Sequence, residues 1–129
     1  MSEDTSVSFY EAAGGEETFT RLVHRFYQEV TADPVLLATY PTPQDLGPAE
    51  EHLRLFLIQY WGGPATYNEL RGHPRLRMRH HPFPIDQAAR DRWIQLMEAA
   101  VVQAELPPEA AEVLRAFFDS VATFMINRA

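Results

Sequence analysis

Apolar residues recur at three- and four-residue steps in four long stretches of the chain, which is the spacing of one face of an α-helix. The four apolar faces consist of Phe19, Leu22, Val23, Phe26, Tyr27 and Val30; Ala49, Leu53, Phe56, Leu57 and Tyr60; Ala89, Trp93, Leu96, Met97, Ala100, Val101 and Ala104; and Leu114, Phe117, Phe118, Val121 and Met125. Neither strand-like alternation nor an internal repeat occurs. The sequence therefore predicts an all-α fold with four substantial helices and several short ones.

Glycine, proline and aspartate mark the ends of several helices. Gly14-Gly15 ends a short helix that starts near Ser8, and Gly62-Gly63-Pro64 ends the second long helix. Glycine can adopt the left-handed cap conformation, and proline cannot continue a helix. Asp33 followed by Pro34 is typical of an N-cap with proline at the first helical position. It predicts a short helix from Val35 to Tyr40.

The connections in the middle of the chain are long. Residues 41–47 and 62–72 are predicted loops, and the stretch 67–85 is expected to hold only a brief helix, around Pro74 to Arg79, before Asp86 caps the third long helix. Helical bundles usually connect their helices through about 2–8 residues. A plain four-helix bundle is therefore disfavoured, and something other than protein is expected to fill the centre.

Composition and charge limit the class of protein. The chain has 129 residues, of which 46% are hydrophobic, and this is enough for one domain with a real core. We expect residues 1–8 to be a flexible segment and residues 9–129 to form a single domain. The formal charge of −7 and the pI of about 5.1 argue against nucleic-acid binding, which usually needs a basic face.

The absence of cysteine restricts the cofactor chemistry. Without cysteine the chain has no disulfide, no thiolate metal site, no Cys-ligated iron–sulfur cluster and no covalent attachment of c-type haem. Any haem would be held non-covalently. The sequence also shows no basic and apolar leader and no apolar run near the ~20 residues of a membrane span. A cytoplasmic location is the resulting expectation.

The stretch from Tyr67 to Ile85 concentrates residues that could bind a cofactor. It places four arginines within residues 71–79 in front of two histidines, His80 and His81. Imidazole is the commonest metal ligand, and arginine pairs well with carboxylates. A haem needs both, because it carries iron at its centre and two propionates at its rim.

The histidines differ in how well they suit metal ligation. His80 ends the predicted short helix and shares a side with Leu76, whereas His81 precedes a proline and is pushed out of helical geometry. His80 is therefore the better ligand. His24 and His52 have polar neighbours and are expected on the surface. His73 is expected to be a cap or turn residue.

Tyr27, Tyr40 and Trp93 form a second unusual set. Tyr27 and Trp93 lie on apolar helix faces, where a buried hydroxyl or indole N–H needs a hydrogen-bond partner. The three can be ordinary core aromatics bonded to backbone or water, or donors that converge on a small polar ligand. Periodicity does not decide between these interpretations. No nucleophile–base constellation and no phosphate-binding motif is present.

Several of these segments together resemble the truncated haemoglobins, and most closely those of group II. They are Phe9-Tyr10, Gly14-Gly15, Thr18-Phe19, Phe26-Tyr27, Tyr60-Trp61-Gly62-Gly63-Pro64 and Arg71-Gly-His-Pro-Arg-Leu-Arg-Met-Arg-His80. The resemblance covers nearly the whole chain from Phe9. It implies a two-over-two helical sandwich around haem b, with helices B, E, G and H near residues 16–32, 48–61, 86–104 and 108–128.

The resemblance also implies roles for individual residues. His80 matches the proximal iron ligand, His81 a bystander, and Tyr27, Tyr40 and Trp93 match the distal polar residues. Ala49 replaces the histidine that many globins place facing the ligand, and leaves a wider opening. Further expected haem contacts are Leu53 and Phe56 on helix E; Met78, Phe83 and Ile85 on the haem wall; and Tyr67, Arg77 and Arg79 at the propionates.

Three functions follow from these observations. The first is reversible, tight and slow-releasing binding of dioxygen, or of nitric oxide, carbon monoxide, peroxide or sulfide, by a monomer or homodimer. The second is a redox enzyme, peroxidase-like or a nitric-oxide dioxygenase, that depends on an external reductase because the chain has no recognisable reductase module. The third is a haem-free helical adaptor, in which the aromatics are ordinary core.

Overall fold

The structure, a computed structural model, describes residues 8–40, 42–80 and 85–128, except for the side chain of Arg77. This part of the chain contains eight helices and no strand, which confirms the all-α prediction. The helices are α1 (Phe9–Ala13), α2 (Glu16–Thr31), α3 (Pro34–Leu37), α4 (Gly47–Tyr60), α5 (Thr66–Arg71), α6 (Leu76–His80), α7 (Gln87–Gln103) and α8 (Pro108–Phe124). The predicted flexible segment lies almost wholly outside the described residues.

The four long helices pack as two pairs. Helix α2 contacts both α4 and α7, and α7 also packs along α8. This is the expected two-over-two sandwich, and the bounds of its helices agree with the predicted ones to within a few residues. Helix α8 differs most, because it ends at Phe124 and not near residue 128. None of the described helices is both long and apolar enough to cross a membrane.

The core consists of the predicted apolar faces. The largest side chains that are fully buried are Phe19, Phe26, Leu22, Leu57, Met97, Leu114, Val23, Val30 and Val101. They come from α2, α4, α7 and α8. Burying a side chain of this size contributes about 1.5–3 kcal/mol relative to leaving it exposed, so the packing of the four long helices is the main source of stability.

Short polar side chains begin three of the helices as predicted. The Oγ of Ser8 accepts a hydrogen bond from the Glu11 N–H at 3.1 Å. Asp86 caps α7 by accepting from the Ala89 N–H at 2.8 Å. Asp33 caps α3 by accepting from the N–H groups of Val35 and Leu36. Caps matter most for the short helices, which are marginal without outside support.

Two glycines are required by close contacts at the helix ends. Gly14 has φ +120°, and a Cβ there would lie 2.0 Å from Thr18 Oγ1. That hydroxyl donates to the Ala13 carbonyl at 2.8 Å and thereby joins α1 to α2. At Gly63, a Cβ would lie 2.9 Å from the Ile58 carbonyl oxygen. Side chains are excluded at both turns, so the glycine pairs are structural.

The prediction that residues 62–72 form only a loop is wrong. Helix α5 occupies most of this segment, because tertiary contacts stabilise it. Its Tyr67 side chain is 3% exposed, and Gln59 of α4 both accepts from the Asn68 N–H and donates to the Asn68 side chain. Helix α6 also starts later than predicted, at Leu76, since Arg75 has a left-handed φ of +43°.

Candidate functional site

A cavity of about 710 Å³ lies between the helices, and every helix except α1 contributes to its wall. Ten of the residues predicted for the site line it: Tyr27, Tyr40, Ala49, Leu53, Phe56, Tyr67, Arg79, His80, Ile85 and Trp93. Residues far apart in the sequence thus meet in one place. The volume falls within the about 300–1,000 Å³ typical of cofactor and ligand pockets.

Of the other three predicted residues, Met78 is not part of this wall, and the remaining two side chains lie outside the described part of the structure. Met78 was expected to contact the cofactor, but it lies outside the cavity with its side chain 61% exposed. Leu76, one turn before His80, lines the cavity instead, because α6 turns that side inward. Phe83 and the side chain of Arg77 lie outside the described residues, and so does His81.

His80 is held in one tautomer by its own helix. Its Nδ1 lies 2.7 Å from the Leu76 carbonyl oxygen. A carbonyl can only accept, so Nδ1 donates this hydrogen bond. In the neutral ring the lone pair is then on Nε2, and this is the form of imidazole that ligates metals. A hydrogen bond from the other ring nitrogen also orients the ring and raises its basicity as a ligand.

The backbone around His80 is tied to the end of the chain. Asn127 Nδ2 donates to the His80 carbonyl at 3.1 Å, and Asn127 Oδ1 accepts from the Ile85 N–H at 2.9 Å. The Asn127 N–H donates in turn to the Ile85 carbonyl at 2.8 Å. Asn127, which lies beyond the end of α8, thus binds the backbone of both His80 and Ile85. No sequence pattern pointed to this role.

The three polar aromatics lie together on the cavity wall. The rings of Tyr27 and Tyr40 meet edge to face with centroids 5.8 Å apart. Trp93 packs against Phe26, the neighbour of Tyr27 on α2, with ring centroids 5.1 Å apart. The two tyrosine hydroxyls and the Trp93 indole N–H thus bring three hydrogen-bond donors to this wall.

Burial raises the pKa of both tyrosine hydroxyls. The pKa of Tyr27 lies well above its usual value because of burial, and the neighbouring Tyr40 raises it further. Burial also raises the pKa of Tyr40 to about 12, although the nearby Tyr27 and Trp93 side chains act in the opposite direction. Both phenols are therefore neutral donors at physiological pH.

A cationic corner of the cavity, formed by Arg71 beside His52 and Tyr67, lies where α4, α5 and α6 meet. Arg71 places its guanidinium 5.8 Å from the centroid of the Tyr67 ring, and its Nη1 lies 2.8 Å from Nδ1 and 2.6 Å from Nε2 of His52. The Nε of Arg71 is buried without a hydrogen-bond partner among the described residues. Burial and the charge of Arg71 both lower the pKa of His52.

His52 and Arg71 were not predicted as site residues, and His52 was expected on the surface. That expectation is wrong, because His52 is partly buried and lines the cavity. The inward position of His52 could have been predicted, because residues 49, 52, 53 and 56 are spaced as one helical face. For Arg71, the sequence showed only a basic run. The run could not reveal which arginine faces inward.

Arg79, unlike Arg71, donates its hydrogen bonds to backbone carbonyls. Its Nε donates to the Pro74 carbonyl at 2.7 Å, and its Nη2 donates to the carbonyls of Arg71 and His73. These bonds brace the turn between α5 and α6. His73 is a turn residue, as expected, with its Nδ1 accepting from the Arg75 N–H at 3.1 Å.

The residues present fit a haem. The imidazole of His80 can bind the iron through Nε2. The apolar lining from Leu53, Phe56 and Phe118 suits the macrocycle. The cationic corner, with its unpaired buried N–H, suits a propionate. These three features come from observations on different helices. They are the requirements that a non-covalent haem site has to meet.

The chain matches the family model of bacterial-like globins over residues 8–127. It is 40% identical over 119 residues to the group 2 truncated hemoglobin YjbI of Bacillus subtilis, an alignment that covers 92% of this chain and 88% of that protein. The solved thermostable hemoglobin of Thermobifida fusca is similar at 59% identity and a TM-score of 0.91, covering 94% of this chain and 98% of that one. The truncated oxygen-avid haemoglobin of Bacillus subtilis superposes with a TM-score of 0.87 at 39% identity, covering 94% and 100%.

The chain therefore belongs to the bacterial-like globin family, as a truncated haemoglobin of group II. The expected resemblance and the two-over-two fold are confirmed. Membership of this family brings haem with its iron as the cofactor and haem-based oxygen binding as the general activity.

The raised pKa values of the two tyrosines predict a loss of stability in alkali. Unfolded tyrosine ionises near pH 10, whereas folded Tyr40 ionises at about 12. Because the folded state binds the proton more tightly, the free energy of unfolding is expected to fall as pH rises from about 10 to about 12. Denaturant midpoints measured across this range should decline more steeply for the wild type than for a variant carrying Tyr27→Phe and Tyr40→Phe. Equal slopes would contradict the burial of these phenols.

Proposed function

We propose that this protein binds dioxygen tightly and releases it slowly, with His80 as the single protein ligand of the haem iron and the Tyr27–Tyr40–Trp93 network as the stabiliser of the ligand. The observation that carries the proposal is that Tyr27, Tyr40 and Trp93 line the same cavity as His80. The similar haemoglobin of Bacillus subtilis is oxygen-avid, which supports the same proposal.

His80 supplies the anchor. Its Nδ1–H is committed to the Leu76 carbonyl, so the Nε2 lone pair is the part of the ring that remains for iron. When bound, the haem iron supplies the coordination position for a diatomic ligand and moves electron density onto it. The hydrogen bond at Nδ1 strengthens this effect, because it makes the imidazole a better donor.

The polar aromatics supply the stabilisation on the other side. A dioxygen ligand would carry partial negative charge, and the hydroxyls of Tyr27 and Tyr40 and the indole N–H of Trp93 would be the donors that stabilise it. A hydrogen bond to a charged group contributes about 1.5–3 kcal/mol, and less for a partial charge. Two such bonds slow release well over tenfold, at about 1.4 kcal/mol per factor of ten.

Ala49 cannot supply a hydrogen bond to the ligand from helix α4. It lines the cavity on α4 and is half-buried, and its methyl group neither donates nor accepts. The nearest histidine on that helix face, His52, is engaged with Arg71. We therefore assign ligand stabilisation to the network on α2, α7 and the segment after α3, and not to α4.

We also propose Arg71, supported by the Tyr67 ring, as the principal partner of a haem propionate. Its Nε is buried and unpartnered, whereas Arg79 gives three hydrogen bonds to backbone carbonyls. A carboxylate accepts two parallel N–H bonds from one guanidinium. A propionate at Arg71 would satisfy the orphaned donor and neutralise its charge.

Replacement of the proximal histidine is expected to abolish stable haem binding. His80→Ala removes the only proposed protein bond to iron, so titration of the haem-free variant with haemin should give no sharp Soret band. Added imidazole should restore the band, because it supplies the missing ligand. His73→Ala, in an exposed turn close to α6, is the matched control and should behave as wild type. A normal Soret spectrum in His80→Ala would refute the assignment.

Removal of the proposed propionate partner is expected to loosen the haem. Arg71→Gln should speed haem transfer to an excess of apomyoglobin about tenfold, since a charge-assisted hydrogen bond contributes about 1.5–3 kcal/mol. Arg115→Gln, which removes a surface cation paired with Glu112, should have no effect.

The difference should disappear when the haem is loaded as its dimethyl ester, because that group lacks the propionate charge. A tenfold difference that persists with the ester would show that Arg71 acts through the protein and not through the propionate.

Loss of the polar aromatics is expected to speed oxygen release. Trp93→Phe and Tyr27→Phe each remove one donor from the network and should raise the oxygen dissociation rate, measured by stopped-flow replacement with carbon monoxide, about tenfold or more. Tyr60→Phe removes a hydroxyl from a residue that is 55% exposed and should leave the rate unchanged. Release as slow as wild type in both network variants would sink the proposal.

A further inference from the structure

We propose that the ion pair between Asp33 and Arg92 positions Tyr40 against Trp93, so that two side chains outside the cavity set the geometry of the distal network. The inference rests on the proposed function, because it assigns a control over that network. Neither residue lines the cavity. Both are positioning residues that act through the elements they join.

Asp33 is the fixed point of the segment that carries Tyr40. Its side chain lies in a residue only 7% exposed, and both carboxylate oxygens are used. Oδ1 accepts from the N–H groups of Val35 at 3.0 Å and Leu36 at 3.1 Å, and Oδ2 accepts from Arg92 Nε at 2.6 Å. The bond from the Leu36 N–H and the charge of Arg92 hold the pKa of this carboxyl below its usual value.

A continuous run of local hydrogen bonds connects Asp33 to Tyr40. The N–H groups of Leu37 and Ala38 donate to the carbonyls of Asp33 and Pro34, and those of Thr39 and Tyr40 donate to the carbonyls of Leu36 and Leu37. Helix α3 has only four residues. A helix this short is not stable by itself, so its attachments to other elements decide where Tyr40 lies.

The second half of the connection runs along α7. Arg92 directly precedes Trp93, which lines the cavity together with Tyr40. Helix α3 packs against α7, and its Leu36, at 3% exposure, lies on the same cavity wall. The ion pair therefore joins the segment that carries Tyr40 to the part of α7 that carries Trp93.

The geometry of the bond suits a positioning role. An arginine–carboxylate bond is directional as well as strong, because the guanidinium is planar and its donors are fixed. One carboxylate joins the N-terminus of α3 and α7 at the same time. Without the bond to Arg92, α3 keeps its cap but loses the link that sets its distance from Trp93.

Two substitutions separate the cap from the ion pair. Asp33→Asn keeps a side-chain oxygen for the N-cap, since asparagine caps helices about as well as aspartate, but removes the charge that Arg92 binds. Arg92→Gln removes the other partner and leaves Asp33 intact. Each is expected to raise the oxygen dissociation rate of the haem-loaded protein about threefold to tenfold, and the double variant should be no faster than the faster single variant.

A spectroscopic measurement distinguishes positioning from general stability. In the carbon monoxide complex, the C–O stretching frequency should rise in both variants, because fewer N–H and O–H dipoles then point at the ligand. Arg92→Lys keeps the charge and should stay closer to wild type. Arg115→Gln is the control and should change neither quantity, because Arg115 is a half-buried arginine that pairs with Glu112 on α8.

The possible outcomes are distinct. If Asp33→Asn and Arg92→Gln lower only the melting temperature and leave both the frequency and the release rate unchanged, the pair is a structural brace and the inference is wrong. If those variants are silent while Tyr40→Phe speeds release, the inference fails and the proposed function stands. If Tyr40→Phe is silent as well, the proposed function itself fails.

Discussion

The structure depends on the cavity at its centre, where the apolar faces of the helices do not meet. Protein interiors are normally close-packed, and at about 24 cal/mol per Å³ a dry cavity of only ~200 Å³ costs on the order of 5 kcal/mol. That is comparable to the whole stability of an average domain. The space of about 710 Å³ therefore gives haem a structural task besides its chemical one. The walls of the cavity, held by short helices and turn contacts, are built around the group that fills it.

The two sides of the cavity are constructed differently. In the proposed arrangement the proximal side rests on His80, whose ring bonds to Leu76 within its own helix and whose carbonyl accepts from Asn127. The proposed distal side rests on three residues from three parts of the chain, so their arrangement depends on how α2, α3 and α7 pack. Contacts between those elements, such as that of Asp33 with Arg92, would then matter more for the distal side than for the proximal one.

The sequence predicted those parts of the structure whose signals are local. The faces of α2, α4, α7 and α8 and the caps at Asp33 and Asp86 follow from periodicity and from backbone chemistry, and both survive folding. Helix α5 could not be predicted, because its stability comes from Gln59 and from the burial of Tyr67, which are tertiary. For the same reason Met78 was assigned to the cavity wall and His52 to the surface. Spacing shows which residues share a helix face, but in short helices it does not show which face turns inward.

The basic side chains show how one residue type is divided between structure and site. All eleven are arginines, and arginine presents several donors in a fixed plane. Arg21 binds the Ala104 carbonyl at the end of α7, Arg79 binds three carbonyls around the α5–α6 turn, and Arg90 pairs with Asp91 and Asp119. Such geometry ties elements together where a lysine would offer only a point charge. Arg71 shares this chemistry, but among the described residues nothing accepts from its buried Nε. The same planar fork that braces the fold elsewhere thus keeps an unpartnered donor at the cavity wall, which is why we propose Arg71 as the partner of a haem propionate.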